Sequence, residues 1–410
     1  MEDQQRLDSQ NSPDVFVRFG FPHIINARGT VTRLSGSRLS KHTIAAMCEV
    51  CDKPVSIEDL QRAACRTIST LCATQAALVT CGAAAGLMLG AAAMLARWDL
   101  SKMEKLPDTA DMPNEFIIAR AHRNGYDHAI RAAGGKLVEV GMDEIRAGAG
   151  VRRTEAWEYE VAITHRCVGI VYVLTRDSRP PLAEVVAMAH SRNLPVLVDA
   201  AAQLPPVANL HAIVGTGADL VCFSGGKAIG GPQATGILCG GRDLVGSAFL
   251  QMMDQDEHPQ HWSPPPEFIN AGMIPGAPRH GIGRMLKVGK EQIVGLLAAL
   301  EQFTESQVKD RIALRLNWLA ELRDSLVKQG IASVLEANPR PMLKIPINQP
   351  YPHTSAMEVC RQLSIGSPTI YVNHAFLADG VIAVDPACLA QDELSILANR
   401  ITEALTRGAG

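Results

Sequence analysis

The sequence predicts an α/β fold: a large domain built on a mainly parallel seven-stranded sheet, followed by a smaller C-terminal α/β domain. Three observations predict it. Seven short apolar runs alternate with helical patterns, as in a parallel sheet covered on both faces. Glycine-rich and polar segments fall where several of those runs end, the place where such sheets bind ligands. The chain, at 410 residues, is too long for one ordinary core. Composition agrees, because 47% hydrophobic and 20% charged residues exclude global disorder. A net charge of −3 favours neither a nucleic-acid groove nor an anionic membrane surface.

In chain order, residues 1–20 read as an N-terminal tail and 21–75 as an entry segment with helices. Met1 to Asp14 is polar and acidic, which does not suit a secretory signal and points to the cytoplasm. Ten cysteines are scattered as expected of buried thiols, and Cys48-x-x-Cys51 lacks the second pair a metal site needs. The 21 uncharged residues Ala76–Ala96 match a membrane span in length. Their Ala and Gly content, with a glycine break after Cys81, instead predicts a strand, a tight turn and a buried helix. The strands of the large domain, 76–290, are expected at Ala77–Thr80, Glu115–Ala119, Leu137–Val140, Gly169–Leu174, Pro195–Val198, Leu220–Phe223 and Thr235–Cys239. Helical patterns cover Tyr126–Ala133 and Pro181–Arg192. Asp254–Pro278 reads as a long Pro- and His-rich loop. Residues 291–410 hold linking helices and the small domain. One helix is expected from Met285 to Lys309 and another from Arg311 to Gln329. Strands follow at Met342–Ile345, Thr369–Val372 and Val381–Val384, then a helix over Gln391–Thr406.

The chemistry concentrates at three strand ends. Phe223 runs into Ser224-Gly225-Gly226-Lys227, then Gly230-Gly231-Pro232. Glycines flanking one lysine require tight turning and close approach to a ligand, a setting for covalent chemistry with a carbonyl. A solvated loop lysine is the plainer alternative, which this setting disfavours. Twenty-eight residues upstream, Pro195–Val198 ends in Asp199. Its carboxylate either caps the next turn or keeps the pyridinium nitrogen of pyridoxal phosphate protonated. Between a strand and a helix, Thr80-Cys81-Gly82-Ala83 offers converging backbone N–H groups for a phosphate, to which Ser224 adds a hydroxyl.

In this order the pieces resemble the fold-type-I pyridoxal-phosphate enzymes. The wording Ile25-Asn26-Ala27-x-Gly29-Thr30, Tyr126-Asp127-His128-Ala129, Val198-Asp199-Ala200-Ala201, and Ser224-Gly225-Gly226-Lys227 with Gly231-Pro232-Gln233 is similar to the family of the selenocysteine synthase SelA. Within it, the resemblance is closest to the D-glucosaminate-6-phosphate ammonia-lyase-like branch, over about residues 20–400. The resemblance implies Lys227 as Schiff-base lysine, Asp199 on the pyridine nitrogen, and Gly82, Ala83 and Ser224 around the phosphate. It places His122 over the cofactor face and Gln203 near the phenolic oxygen. Arg279 and Arg284, in a segment like the family's GRxxKVGKE, suit a substrate carboxylate or phosphate. Thr32 and Arg38 belong to an entry segment that in relatives approaches an active site, including that of a neighbouring subunit. Many relatives would show an arginine near Asn373.

The activity implied is that of a lyase on a small amino acid, eliminating water from a β-hydroxy or sugar amino acid to give a 2-oxo acid and ammonia. Racemase, aldolase and aminotransferase chemistry are alternatives that the same apparatus could support. A selenium transferase acting on aminoacyl-tRNA is disfavoured by the −3 balance. The expected partners are a small-molecule substrate and further copies of the chain in a homo-oligomer with shared sites, with no nucleic acid, membrane or metal.

Overall fold

The computed structural model describes residues 14–406 apart from 143–151, 255, 259, 271, 275, 277–278, 339 and 348–353. Most of the expected tail, and parts of the loop expected over Asp254–Pro278, lie outside the described residues. The chain forms two compact units, Leu39–Val308 and Met1–Arg38 with Lys309–Gly410.

The strands in chain order are β1 (Ile24–Ala27), β2 (Ala76–Thr80), β3 (Glu115–Ala119), β4 (Lys136–Val140), β5 (Cys167–Val173) and β6 (Val196–Asp199). Then follow β7 (Leu220–Ser224), β8 (Gly236–Gly240), β9 (Val334–Glu336), β10 (Met342–Pro346), β11 (Thr369–Val372) and β12 (Val381–Val384). The seven expected runs of the large domain form one sheet, in the order β2-β8-β7-β6-β5-β3-β4. Only β8 runs against its neighbours, antiparallel to both β2 and β7. Residues of β2, β3, β6 and β8 are buried throughout.

The uncharged stretch resolves into β2, a turn and the helix Ala83–Ala96, whose residues from Ala85 onward are all buried. Its composition has a packing cause. A Cβ on Gly90 would stand 3.0 to 3.3 Å from the side chains of Leu197 and Leu220, and one on Gly86 would meet Cys222 and Thr80. Small residues let this helix lie directly on β6 and β7. Among the described residues, no helix is long and apolar enough to cross a membrane.

The helix expected over Met285–Lys309 is shorter. A 3-10 turn covers Ile282–Leu286, the helix spans Lys290–Glu301, and the next one begins at Glu305 and reaches Lys328. The break is local chemistry: the Thr304 hydroxyl accepts the amide of Gln307 at 3.4 Å, capping the second helix. Lys290 donates to the carbonyl of Cys51 at 2.8 Å, which fastens the start of its helix to the end of Lys41–Cys51.

In the other unit β12-β10-β9 form an antiparallel sheet. The strands expected at 342–345, 369–372 and 381–384 are present, and β1, where no strand was expected, pairs in parallel with β11. Ile25 and Ala27 enter a core with Leu319, Leu343, Ile370 and Ile401.

Candidate active site

Within the unit Leu39–Val308, the carboxyl ends of the parallel strands gather most of the expected site residues. β6 ends on Asp199, which is 8% exposed. Its Oδ1 accepts the amide of Ala201 at 3.0 Å. Burial raises its pKa, opposed by that hydrogen bond and by the charge of Lys227. A carboxylate buried in this way gains from a cationic, proton-bearing partner, which favours its charged form.

β7 lies parallel to β6, with Asp199 opposite Cys222, and leads through Ser224 into a wide helical turn, Gly225–Ile229. At Lys227 the backbone leaves helical geometry. The turn is clamped from behind, since the amide of Gly225 donates to Thr235 and that of Gly231 to Gly225, both at 2.9 Å. A Cβ on Gly226 would fall 2.7 Å from the Cα of Gln233. That contact explains why glycine precedes the lysine and why Gly231-Pro232-Gln233 follows it.

The antiparallel β8 builds the cradle. Gly236 pairs with Thr80 of β2 on one side and with Ser224 of β7 on the other, so the three form one row across the sheet. The Thr80 hydroxyl donates to the Gly82 carbonyl at 2.8 Å, fixing the turn. Gly82 has φ 126, and a Cβ there would meet nothing within 4 Å. A Cβ on Gly236, in contrast, would be 2.4 Å from the Gly82 carbonyl carbon and 2.6 Å from the Ala83 nitrogen. Gly82 and Ala83 thus open a fourteen-residue helix toward free space, with Ser224 two strands away.

His122 ends the turn after β3 and is 4% exposed. Its ring stands edge-on to Tyr172, 4.6 Å between centroids. Among the described residues neither ring nitrogen has a hydrogen-bond partner, and burial lowers its pKa to about 4. One cavity is lined by both His122 and Asp199, with Leu87, Ile118, Val171 and Val173.

The other expected residues are placed differently. The Gln203 amide donates to the carbonyl of Leu174 at 2.6 Å. Arg284 pairs with Asp254 at 2.5 Å. The backbone amide of Arg279 donates to Glu104, and its side chain is exposed. Thr32 and Arg38 belong to the other compact unit, where Arg38 pairs with Glu393 at 3.2 Å. Sequence reasoning missed Gly236 and Tyr172. Gly236 becomes visible only once β8 is known to run between β2 and β7.

These features fit pyridoxal phosphate. A buried acid with a raised pKa, a lysine on a clamped glycine turn, an open cradle of amides and a buried ring without polar partners are what its pyridinium, aldehyde, phosphate and ring face require. Fold and site together define a fold-type-I pyridoxal-phosphate enzyme.

The chain belongs to the SelA family: the model described as L-seryl-tRNA selenium transferase matches residues 24–252. It is 29% identical to a 5'-C-glycyluridine monooxygenase-decarboxylase of Streptomyces sp., over 96% of this chain and 93% of that protein. It is 26% identical to the D-glucosaminate-6-phosphate ammonia lyase of Salmonella typhimurium, over 97% of this chain and 100% of the relative. A solved structure of D-glucosaminate-6-phosphate ammonia-lyase superposes with a TM-score of 0.77 at 25% identity, covering 97% of this chain and 100% of the other. The match to the L-seryl-tRNA(Sec) selenium transferase of Nitratidesulfovibrio vulgaris, 33% identical, covers 27% of this chain and 29% of that protein.

Proposed function

We propose that the protein is a pyridoxal-phosphate-dependent lyase that removes water and then ammonia from a small β-hydroxy or sugar amino acid, leaving a 2-oxo acid. The observation that carries this reading is the full-length likeness to an ammonia lyase, joined to a site whose basic nitrogen is that of Lys227. When bound, the cofactor supplies an electron sink for the charge left at the substrate Cα. Asp199 would hold the pyridinium proton, and Gly82, Ala83 and Ser224 would hold the phosphate. His122, neutral at pH 7 because its pKa is about 4, would pack against the ring without competing for protons. Lys227 Nζ would take the Cα proton and return it to the departing β-hydroxyl, so one group serves as base and then acid. Arg279, Arg284, Thr32, Arg38 and Gln203 are proposed for substrate or cofactor contacts, Arg284 only after release from Asp254.

The test has two parts. Borohydride should bleach the visible absorbance and leave the adduct on Lys227. A panel of D- and L-β-hydroxy amino acids should then yield ammonia and 2-oxo acid in equal amounts. A protein that cannot take up the cofactor would end the reading. Racemised, cleaved or transaminated products would replace lyase by those alternatives. A second reading, oxidative decarboxylation, is favoured by the likeness to the glycyluridine enzyme. It predicts oxygen uptake and carbon dioxide release from a glycyl-bearing substrate instead.

A cytoplasmic homo-oligomer with shared sites is part of this proposal. It is supported by the near-neutral charge and by the expected entry segment around Thr32–Arg38. A monomeric mass in sedimentation equilibrium, or recovery in a membrane or extracellular fraction, would count against it.

A further inference from the structure

In the unit formed by the chain's two ends, β1 and β11 finish side by side, with Asn26 opposite Tyr371 and Ala27 opposite Val372. One step further, the Asn373 side-chain amide donates to the carbonyl of Arg28 at 3.2 Å. Arg33, in the 3-10 turn Thr32–Leu34, lays its guanidinium over the ring of Tyr371, 5.4 Å from the centroid. His374 follows directly and is exposed. Arg28, Arg33 and His374 therefore share one edge of the β1–β11 pair. Partial burial, then the charges of Arg28 and Arg33, lower the pKa of His374, so the three groups feel one another.

Many arginines of this chain meet a carboxylate: Arg38 with Glu393, Arg62 with Glu267, Arg123 with Asp127, Arg361 with Glu358. Among the described residues, neither Arg28 nor Arg33 makes an ion pair. The nearby acids are committed elsewhere. Asp385, whose carboxylate lies against Gly29, faces Arg315 and Arg340, and Glu393 holds Arg38. Two guanidiniums whose charges reach one imidazole, with no ion-paired carboxylate among the described residues, form a cluster whose mutual repulsion an anion would relieve.

We infer that Arg28, Arg33 and His374 form a binding site for a phosphate dianion, either free or as the phosphate monoester of a larger ligand. Two planar guanidiniums can grip a tetrahedral oxyanion bidentately, and their two charges match a dianion better than a carboxylate. The imidazole adds one ring N–H donor.

The test is calorimetric titration of the holoenzyme, whose cofactor already fills the Gly82–Ser224 cradle, with inorganic phosphate, a hexose 6-phosphate and acetate. Saturable binding of phosphate or the hexose phosphate is expected, weakened about tenfold or more by Arg28→Gln and by Arg33→Gln. Arg361→Gln, already paired with Glu358, should bind as the parent does. Phosphate should also move the His374 imidazole resonance, assigned with His374→Gln, and the shift should vanish in Arg33→Gln. Tighter binding of the hexose phosphate than of free phosphate supports the site and assigns a phosphorylated ligand; equal binding supports it as a site for free phosphate. The site is overturned if neither phosphate binds saturably, if both arginine variants bind like the parent, or if acetate binds as tightly. Because binding and not turnover is read, failure here leaves the lyase reading untouched.

Discussion

Asp199 and His122 are buried polar groups that line one cavity and are displaced in opposite senses. Burial holds the Asp199 carboxyl above the ordinary range, and it lowers the imidazole of His122 from 6.5 to about 4. The second shift has a thermodynamic consequence. Between those two values the unfolded chain binds a proton at His122 that the folded chain refuses, so stability present above pH 6.5 is lost as pH falls toward 4. The loss is on the order of 3 kcal/mol. His122→Phe keeps an aromatic ring beside Tyr172 and removes the titration. Denaturant unfolding of the cofactor-free protein at pH 7 and pH 4.5 should therefore show a smaller acid loss in the variant; equal losses would show that His122 is not buried as a neutral ring. At this scale the sequence was informative about position: Asp199 and Ser224 end their strands and Lys227 lies in the turn that follows, as the apolar runs before them implied. The ion pair of Arg284 was not legible, because Asp254, its partner, lies thirty residues back at the start of the Pro- and His-rich loop, where no periodicity links them.

Among elements, the decisive one is β8. Apolar runs alone predict seven strands, yet they carry no sign of direction, and a β8 parallel to its neighbours would bring its far end, near Gly240, and not Gly236 to the edge that holds Thr80 and Ser224. Running β8 backwards between β2 and β7 puts Thr80, Gly236 and Ser224 in one row. The cradle then depends on the absence of a side chain at Gly236. Gly236→Ala would drive a Cβ into the backbone of Gly82 and Ala83 at 2.4 to 2.6 Å, and backbone cannot yield as a side-chain tip does. The expected result is cofactor affinity reduced at least about tenfold, with a stability cost of about 1–3 kcal/mol from overpacking. Titration of the cofactor-free variant with pyridoxal phosphate, followed by visible absorbance, measures the first. Parent-like affinity would place the phosphate elsewhere. The same reasoning explains why Ala76–Ala96 looked membrane-like: a helix that must touch β6 and β7 at Gly86 and Gly90 sheds both charge and bulk.

For the molecule as a whole, one of the two compact units is assembled from the chain's two ends. Sequence patterning found β10, β11 and β12 because each is an apolar run bounded by turn residues. It passed over β1, whose four residues acquire meaning only beside β11, more than three hundred positions later. That pairing is not decorative: Ile25 and Ala27 are fully or almost fully buried in the same core as Ile370, Val372 and Leu363, and the amide of Asp385 donates to the Ala27 carbonyl at 2.9 Å. Removing Ile25 alone should therefore act at a distance in sequence. Ile25→Ala empties a core position, and large-to-small changes of this kind cost about 2–5 kcal/mol. Because the core of Leu39–Val308 is separate, the loss should fall on one unit. Scanning calorimetry should show one transition of the variant moved to lower temperature while the other, together with bound cofactor absorbance, stays in place. Native-state hydrogen exchange should show faster exchange in β11 and β12 but not in β6 or β7. A uniform shift of all transitions would mean that the two units unfold as one, and that β1 supports the cofactor sheet as much as its own.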